Sequence, residues 1–447
     1  MITAEQQRSW VQQLMTRADA GLPGQSPGWL DHARKAARQA VAGLPVLDRK
    51  QEAWRYTSIE ALLKQCFRPA DEAADLPALD INDCLLPAFD SYRLVFVNGR
   101  YDPQLSSIEA LPDGVNVGSL CAGLSTDPEL LATWFGQTAN HTEHVFTAMN
   151  TALVNDGVFI HVGSQLELGR PIEVIYLSQV DDDPLLMQPR NLIVLDAGAK
   201  ATLVERFIGF GPSAYFHNNL TEISVGKGAS LNHYRVQDES RSAYHLSSLY
   251  LSQQAQSLYR GTTLAFGGAW ARTDYNSTFK QEGAVCELNG LYTVGDQQLI
   301  DFHLNVQHSF PGCVSREQFK GVLYGKGRAV FDGRILVDKQ AQHSDAQLSN
   351  DNLMLSRNAE VDTKPQLEIY ADDVKCSHGT TVGELDPQQV FYLRSRGIDE
   401  STARKMLCLG FAAEVLDSIN LPALRDAASR KLGDTLNAAV EEWGGKT

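Results

Sequence analysis

The chain lacks the features that most simply assign a protein to a chemical class. None of its seven cysteines (Cys66, Cys84, Cys121, Cys286, Cys313, Cys376 and Cys408) forms a C-x-x-C pair, and an odd, scattered set cannot make a complete disulfide framework. Reduced thiols are expected, most of them acting as small buried hydrophobes. No apolar run approaches the ~18 residues that span a bilayer. The opening MITAEQQRSWVQQLM has neither the basic nor the continuous apolar region of a secretory signal. A cytoplasmic location without membrane association is the expectation.

Positive charge is also scarce. The formal net charge is -15, and Lys and Arg nowhere cluster into a run that could track phosphates, which argues against nucleic acid as a partner. Enzyme signatures are missing too: there is no G-x-S-x-G, no G-x-x-x-x-G-K-[ST], no H-E-x-x-H, and no G-x-G-x-x-G between a strand and a helix. No catalytic residue is assigned.

What is present is 447 residues, 43% hydrophobic and 21% charged, without a long low-complexity tract, which suits an ordinary folded protein. Residues 1–155 read as mostly helical. Trp10, Val11 and Leu14 fall at helical spacing, Ser26-Pro27 suggests a helix start, and QEAWRYTSIEALL places Trp54 and Tyr56 before a short helix. A strand pair interrupts them near 92–106, where YRLVFV meets the turn dipeptide Asn98-Gly99.

From 156 to 383 the text changes to short β-forming segments separated by Gly, Asp and Asn, as in RNLIVLDAGAKATLVERFIG and TEISVGKGASLNHYRVQ. The repeated form of strand, tight turn and strand suggests a solenoid of stacked rungs, with a Greek-key β-sandwich as the competing reading. Ala201 and Ala229 stand 28 positions apart, and Gly290 and Gly333 stand 43 apart. The second interval suggests two rungs of a little over twenty residues each.

Residues 384–447 are helical. Asp386-Pro387 opens one helix, which Gly397 ends, and Asp399 caps a second with Ala403, Leu407, Phe411, Val415 and Ile419 on one stripe. Leu424, Ala428, Leu432, Leu436, Val440 and Trp443 stripe a third.

Few residues suggest chemistry. His303 and His308 are five apart and would leave opposite faces of a strand, while His217, His233, His245 and His343 are isolated in sequence, although a solenoid could stack some of them. Cys376 and His378 are two apart, so on a strand they share a face and could meet one metal or sulfur species. Thiolate and imidazole suit zinc or iron, but a tetrahedral site needs about four ligands. The rest would come from elsewhere, plausibly another subunit. Carboxylates dispersed along a solenoid groove keep a β-helix carbohydrate-active enzyme open as an alternative, against which stand the cysteine usage and the expected location. A zinc-dependent dimer module is a third reading.

The run TKPQLEIYADDVKCSHGTTVGELDPQQVFYLRSRGI, Thr363 to Ile398, closely resembles the SufB/SufD family of iron-sulfur cluster assembly proteins, on its SufD side. The SufB paralogue characteristically has an EHEAT-type sequence where this chain reads Lys375-Cys376-Ser377-His378-Gly379. EAWRYTS, LVFVNGRYDPQLS and AVFDGRILVDKQAQHSDAQLSNDNLMLS are also similar to the family, so the resemblance covers nearly the whole chain.

The resemblance implies a mainly β fold: a right-handed parallel β-helix between N-terminal and C-terminal helical domains. It implies a non-catalytic scaffold subunit that pairs with a SufB paralogue and binds the SufC ATPase, with a homodimer as the alternative for the isolated chain. Cys376 and His378 would contribute to a transient iron-sulfur cluster shared with the partner subunit. Phe391, Tyr392 and Phe411 would belong to the ATPase docking region. A reduced flavin is a further candidate in the complex, and no cofactor is expected to be tightly bound by this chain alone.

Overall fold

The computed structural model describes residues 3–18, 26–45, 47–70, 81–140 and 142–444, the side chains of residue 438 and of residues 440–444 excepted. Alternation of apolar and polar residues in the central segments produces strands that pair in parallel with the segment one rung away. Two sheets result. One follows Glu360–Ile369, Arg328–Val337, Leu299–His308, Trp270–Phe279, Ala243–Gln253, Tyr215–Val225, Arg190–Leu195 and Val158–Val162. The other follows Lys375–Gly383, Asp345–Met354, Val314–Leu323, Val285–Val294, Leu258–Ala265, Ser230–Asp238, Lys200–Phe210, Ile172–Gln179 and Tyr92–Val97. Consecutive strands alternate between the sheets through most of this path, as in a parallel β-helix, and the parallel pairing excludes the Greek-key sandwich.

The rungs are longer than the sequence intervals suggested. Register partners are 26 residues apart at Tyr244 and Trp270 and 32 apart at Arg328 and Glu360. Ala201 is in register with Leu231 rather than Ala229, and Gly290 pairs with Phe319 while Gly333 belongs to the opposite sheet. The 43-residue interval thus crosses between sheets and is not twice a rung.

Inward-facing residues form the main core. In the later rungs it is apolar, with Tyr292, Phe302, Phe319 and Phe331 in successive contact at ring-centroid distances of 5.5, 5.1 and 5.3 Å. The earlier rungs are polar inside. Glu205 there accepts from His233 and Arg235 at 2.9 and 3.0 Å, and both partners are buried.

The N-terminal elements close one side. Asn98 and Gly99 take the positive φ values of a tight hairpin turn, which joins Tyr92–Val97 to Arg100–Tyr101 as their sequence suggests. The helix in HARKAARQAVA begins at Gly28, with Pro27 at its N-cap and no side-chain cap, so Ser26-Pro27 stands one residue earlier than expected. In EAWRYTS, Trp54 is buried beneath the Arg272 guanidinium, 3.9 Å from the ring centroid. Thr57 donates to Asp301, which also pairs with Arg272 at 3.0 Å.

Three helices, Pro387–Ser395, Glu400–Asp417 and Pro422–Gly444, follow the last strand. Asp386 and Asp399 cap the first two, their carboxylates accepting from the N–H groups of Gln388 and Thr402. Val415, Ile419, Leu424 and Leu432 form a core with the outward residues Leu264, Leu291 and Val322 of the solenoid. The ion pairs Lys320–Glu414 and Lys431–Asp238, both at 2.7 Å, fasten this contact. The side chains of Val440 and Trp443 lie outside the described residues.

Candidate functional site at the terminal rung

Cys376 and His378 lie on the strand Lys375–Gly383, which forms one edge of its sheet. Parallel register fixes their direction. Cys376 continues the column of Ala346, Ser315 and Cys286, and His378 continues that of Leu348, Glu317 and Leu288. All six of those residues are buried, so both columns face the core. Among the described residues, no further strand covers them at the last rung. Cys376 is half-buried against the core and His378 is exposed. On an extended strand the two side chains start about 7 Å apart on one face.

The same exposure runs across the whole terminal rung. Val382 is 53% exposed and Ile369, on the opposing strand, is 40% exposed, although their columns lead to the buried Asn352 and Val337. An apolar core end and a row of unpaired strand backbone are therefore presented together. Thr381 donates to Asp351 at 2.6 Å, and Lys364 joins Glu52 at 2.6 Å, so the rung is held to its neighbour and to the EAWRYTS segment.

Burial pushes the Cys376 thiol pKa up, and the carboxylates of Asp345 and Glu317 push the same way. Alone, this cysteine is poorly prepared as a thiolate, and a metal or a positive group from outside would lower its pKa. Among the described residues, neither Cys376 nor His378 belongs to a group of three potential metal ligands. Among the described residues they stand as two potential ligands without a third.

Two family models match. The one described as the SUF system FeS cluster assembly, SufBD core domain covers residues 177–411, and the SufBD protein N-terminal region covers 5–174. The chain belongs to the SufBD family of iron-sulfur cluster assembly proteins. It is 32% identical to the Escherichia coli iron-sulfur cluster assembly protein SufD, over 92% of this chain and 93% of that one. A Synechocystis iron-sulfur cluster assembly SufBD family protein is also 32% identical, over 92% of both chains. Bacillus subtilis SufD is 25% identical over 90% of this chain and 92% of its own.

For this SufBD family member, the other residues singled out by sequence fall in two places. Phe391 and Tyr392 project from the helix Pro387–Ser395 with 72% and 55% exposure, beside a groove of about 750 Å³ that Pro387, Leu393 and Leu407 also line. Phe411 is half-buried under Lys320, whose Nζ lies 4.9 Å from its ring centroid. His303 pairs with Asp301 at 3.1 Å, whereas His308 is buried beside Phe279 and Ser315. These two histidines do not converge. His217 and His245, isolated in sequence, do meet: they are direct register partners on adjacent strands. Periodicity gave no signal for Glu239, a corner residue beside them, because corner lengths are irregular.

In the described residues, no helix is long and apolar enough to cross a membrane.

Proposed function

We propose that this chain is a non-catalytic scaffold subunit that pairs through its terminal rung with a SufB-type paralogue and carries a SufC-type ATPase on its C-terminal helices. The observation behind this reading is the uncovered last rung. A second parallel β-helix could continue both sheets there, bury Val382 and Ile369, and bring further ligands to Cys376 and His378. The cluster is cargo assembled at that junction, so a thiol that stays protonated until a partner arrives suits it. Phe391 and Tyr392 supply an apolar, aromatic contact for the ATPase. The capped helices beyond Asp386 are joined to the site strand by only a few residues, so a pull on them can reach Cys376 and His378. A flavin has no assigned residues in this scheme.

The test is co-expression with a SufB-type paralogue and a SufC-type ATPase, followed by purification and measurement of complex recovery and cluster content for wild type and His378→Ala. A recovered complex with at least a severalfold lower cluster content is expected of the variant. Undiminished cluster content in an intact complex would remove His378 from the site, and failure of the wild-type chains to associate would remove the scaffold reading itself.

A further inference from the structure

We propose that His217, Glu239 and His245 bind one divalent transition-metal ion of borderline softness, zinc or ferrous iron, inside the early rungs of the solenoid. This site is separate from the terminal rung and does not depend on the reading given for it.

The backbone places the three groups together with little freedom. His217 and His245 stand directly opposite each other on the parallel strands Tyr215–Val225 and Ala243–Gln253, and Glu239 occupies the corner that leads into the second of these. All three residues are buried, at 1%, 1% and 5% exposure. One ligand atom from each lies within 4.8 Å of the others. Glu239 Oε2 is 2.8 Å from His245 Nδ1, and Glu239 Oε1 is 3.9 Å from His217 Nδ1.

The unsatisfied atoms point to a ligand. Among the described residues, His217 Nδ1 and Nε2 and Glu239 Oε1 are buried without a hydrogen-bond partner, while His245 Nδ1 meets only Oε2 of Glu239. A buried polar group left unpaired is costly, so a set of such atoms on converging side chains calls for a common partner. One cation would engage an atom from each residue. The fold does not impose polarity here, because the same column continues as Ala271, Ile300 and Ala329, all apolar and buried.

The donor types also suit ligation: burial, which outweighs the attraction of Glu239, disfavours the charged form of His217, and an imidazole that binds metal must be neutral. Gln237 donates to Glu239 Oε2 at 3.0 Å and orients it from outside the set. The Phe207 ring packs edge-on against both imidazoles, at 4.8 Å from His245 and 5.2 Å from His217, which keeps the surroundings dry. Two imidazoles and one carboxylate fit zinc or iron(II) and leave room for a further small ligand.

The pocket is closed, so the ion would enter during folding. The full chain carrying Cys376→Ser and His378→Ala, which removes the other ligand pair, is to be stripped with chelator. It is then refolded anaerobically with Zn²⁺ alone or Fe²⁺ alone, desalted, and assayed for metal by mass spectrometry. About one equivalent per chain is expected in at least one arm, and that arm identifies the ion. Cobalt(II) in the same site should give ligand-field bands without thiolate charge transfer. Glu239→Gln keeps the shape and removes the charge, so it should weaken retention at least tenfold while circular dichroism stays that of the parent. His217→Ala should do the same. Retention below about a tenth of an equivalent in both arms, or equal retention by folded Glu239→Gln, would overturn the proposal.

Discussion

Arg190 and Glu222 meet inside the molecule as an ion pair, guanidinium Nη2 to carboxylate Oε1 at 2.5 Å, with 1% and 4% of the side chains exposed. Each end also holds the N-terminal region to the solenoid. Arg190 donates to Thr151 at 3.1 Å on the helix Val145–Leu153, and Glu222 accepts from the backbone N–H groups of Gly136, Thr138 and Ala139.

Removing one partner strands the other in a dry site. Arg190→Met is expected to destabilise the chain by about 3–5 kcal/mol, and Arg190→Met with Glu222→Gln, which removes the stranded charge but keeps an acceptor for the Thr138 and Ala139 N–H groups, to recover part of that loss. Urea unfolding midpoints measure both. A single variant within experimental error of wild type would show that water reaches the pair.

Glu317 makes stability depend on pH. Both of its oxygens lack partners, and burial pushes its pKa from 4.5 up to about 8. The folded chain thus holds a proton that the unfolded chain releases near 4.5. Its contribution is fully present below that pH, falls as pH rises through the interval to about 8, and is flat above it. Glu317→Gln is expected to match wild type near pH 4.5 and to be more stable at pH 8.5 by on the order of 2–4 kcal/mol. Unfolding at the two pH values gives the difference, and identical pH profiles would refute a neutral Glu317.

At the terminal rung, Val382→Lys puts a charge on surface that is exposed in the single chain. Its melting temperature should stay within a few degrees of wild type. Co-purification with a SufB-type paralogue should fall at least tenfold, since a buried unpaired charge opposes assembly. An unimpaired pull-down would place the pairing surface elsewhere.

The aromatic residues of the C-terminal helices should separate into two behaviours. Phe391→Ala with Tyr392→Ala is expected to weaken binding of a SufC-type ATPase at least tenfold without lowering the melting temperature. Phe411→Ala, which removes a side chain packed under Lys320, should instead cost roughly 1–3 kcal/mol of stability. Calorimetric titration and thermal unfolding of the same variants distinguish them.

Local features were legible in the sequence because they depend on short spacings. The Asn98-Gly99 turn and the Asp386 and Asp399 caps formed as their residues suggest. The buried side of the second C-terminal helix instead runs through Ala403, Cys408, Ala412, Val415 and Leu416, so Leu407 and Phe411 lie at its margin and Ile419 falls past the helix end. The shared face of Cys376 and His378 followed from a two-residue step. Rung length was not legible, because corners of unequal length separate the strands and similar motifs recur in opposite sheets. The same irregularity hid the meeting of His217 with His245, 28 residues on, and the arrival of Glu239 beside them.

A rung of some thirty residues advances the solenoid by only one strand spacing, about 4.8 Å. From His233 to His378 the column passes through Gly261, Leu288, Glu317 and Leu348, five steps or about 24 Å. The fold acts as a graduated ruler: gaining or losing one entire coil resets the separation between its polar interior and its exposed end by a fixed increment. Additions confined to a bend would leave that separation unchanged. Length variation among relatives should therefore be tolerated in bends and, within the stack, should come in whole coils.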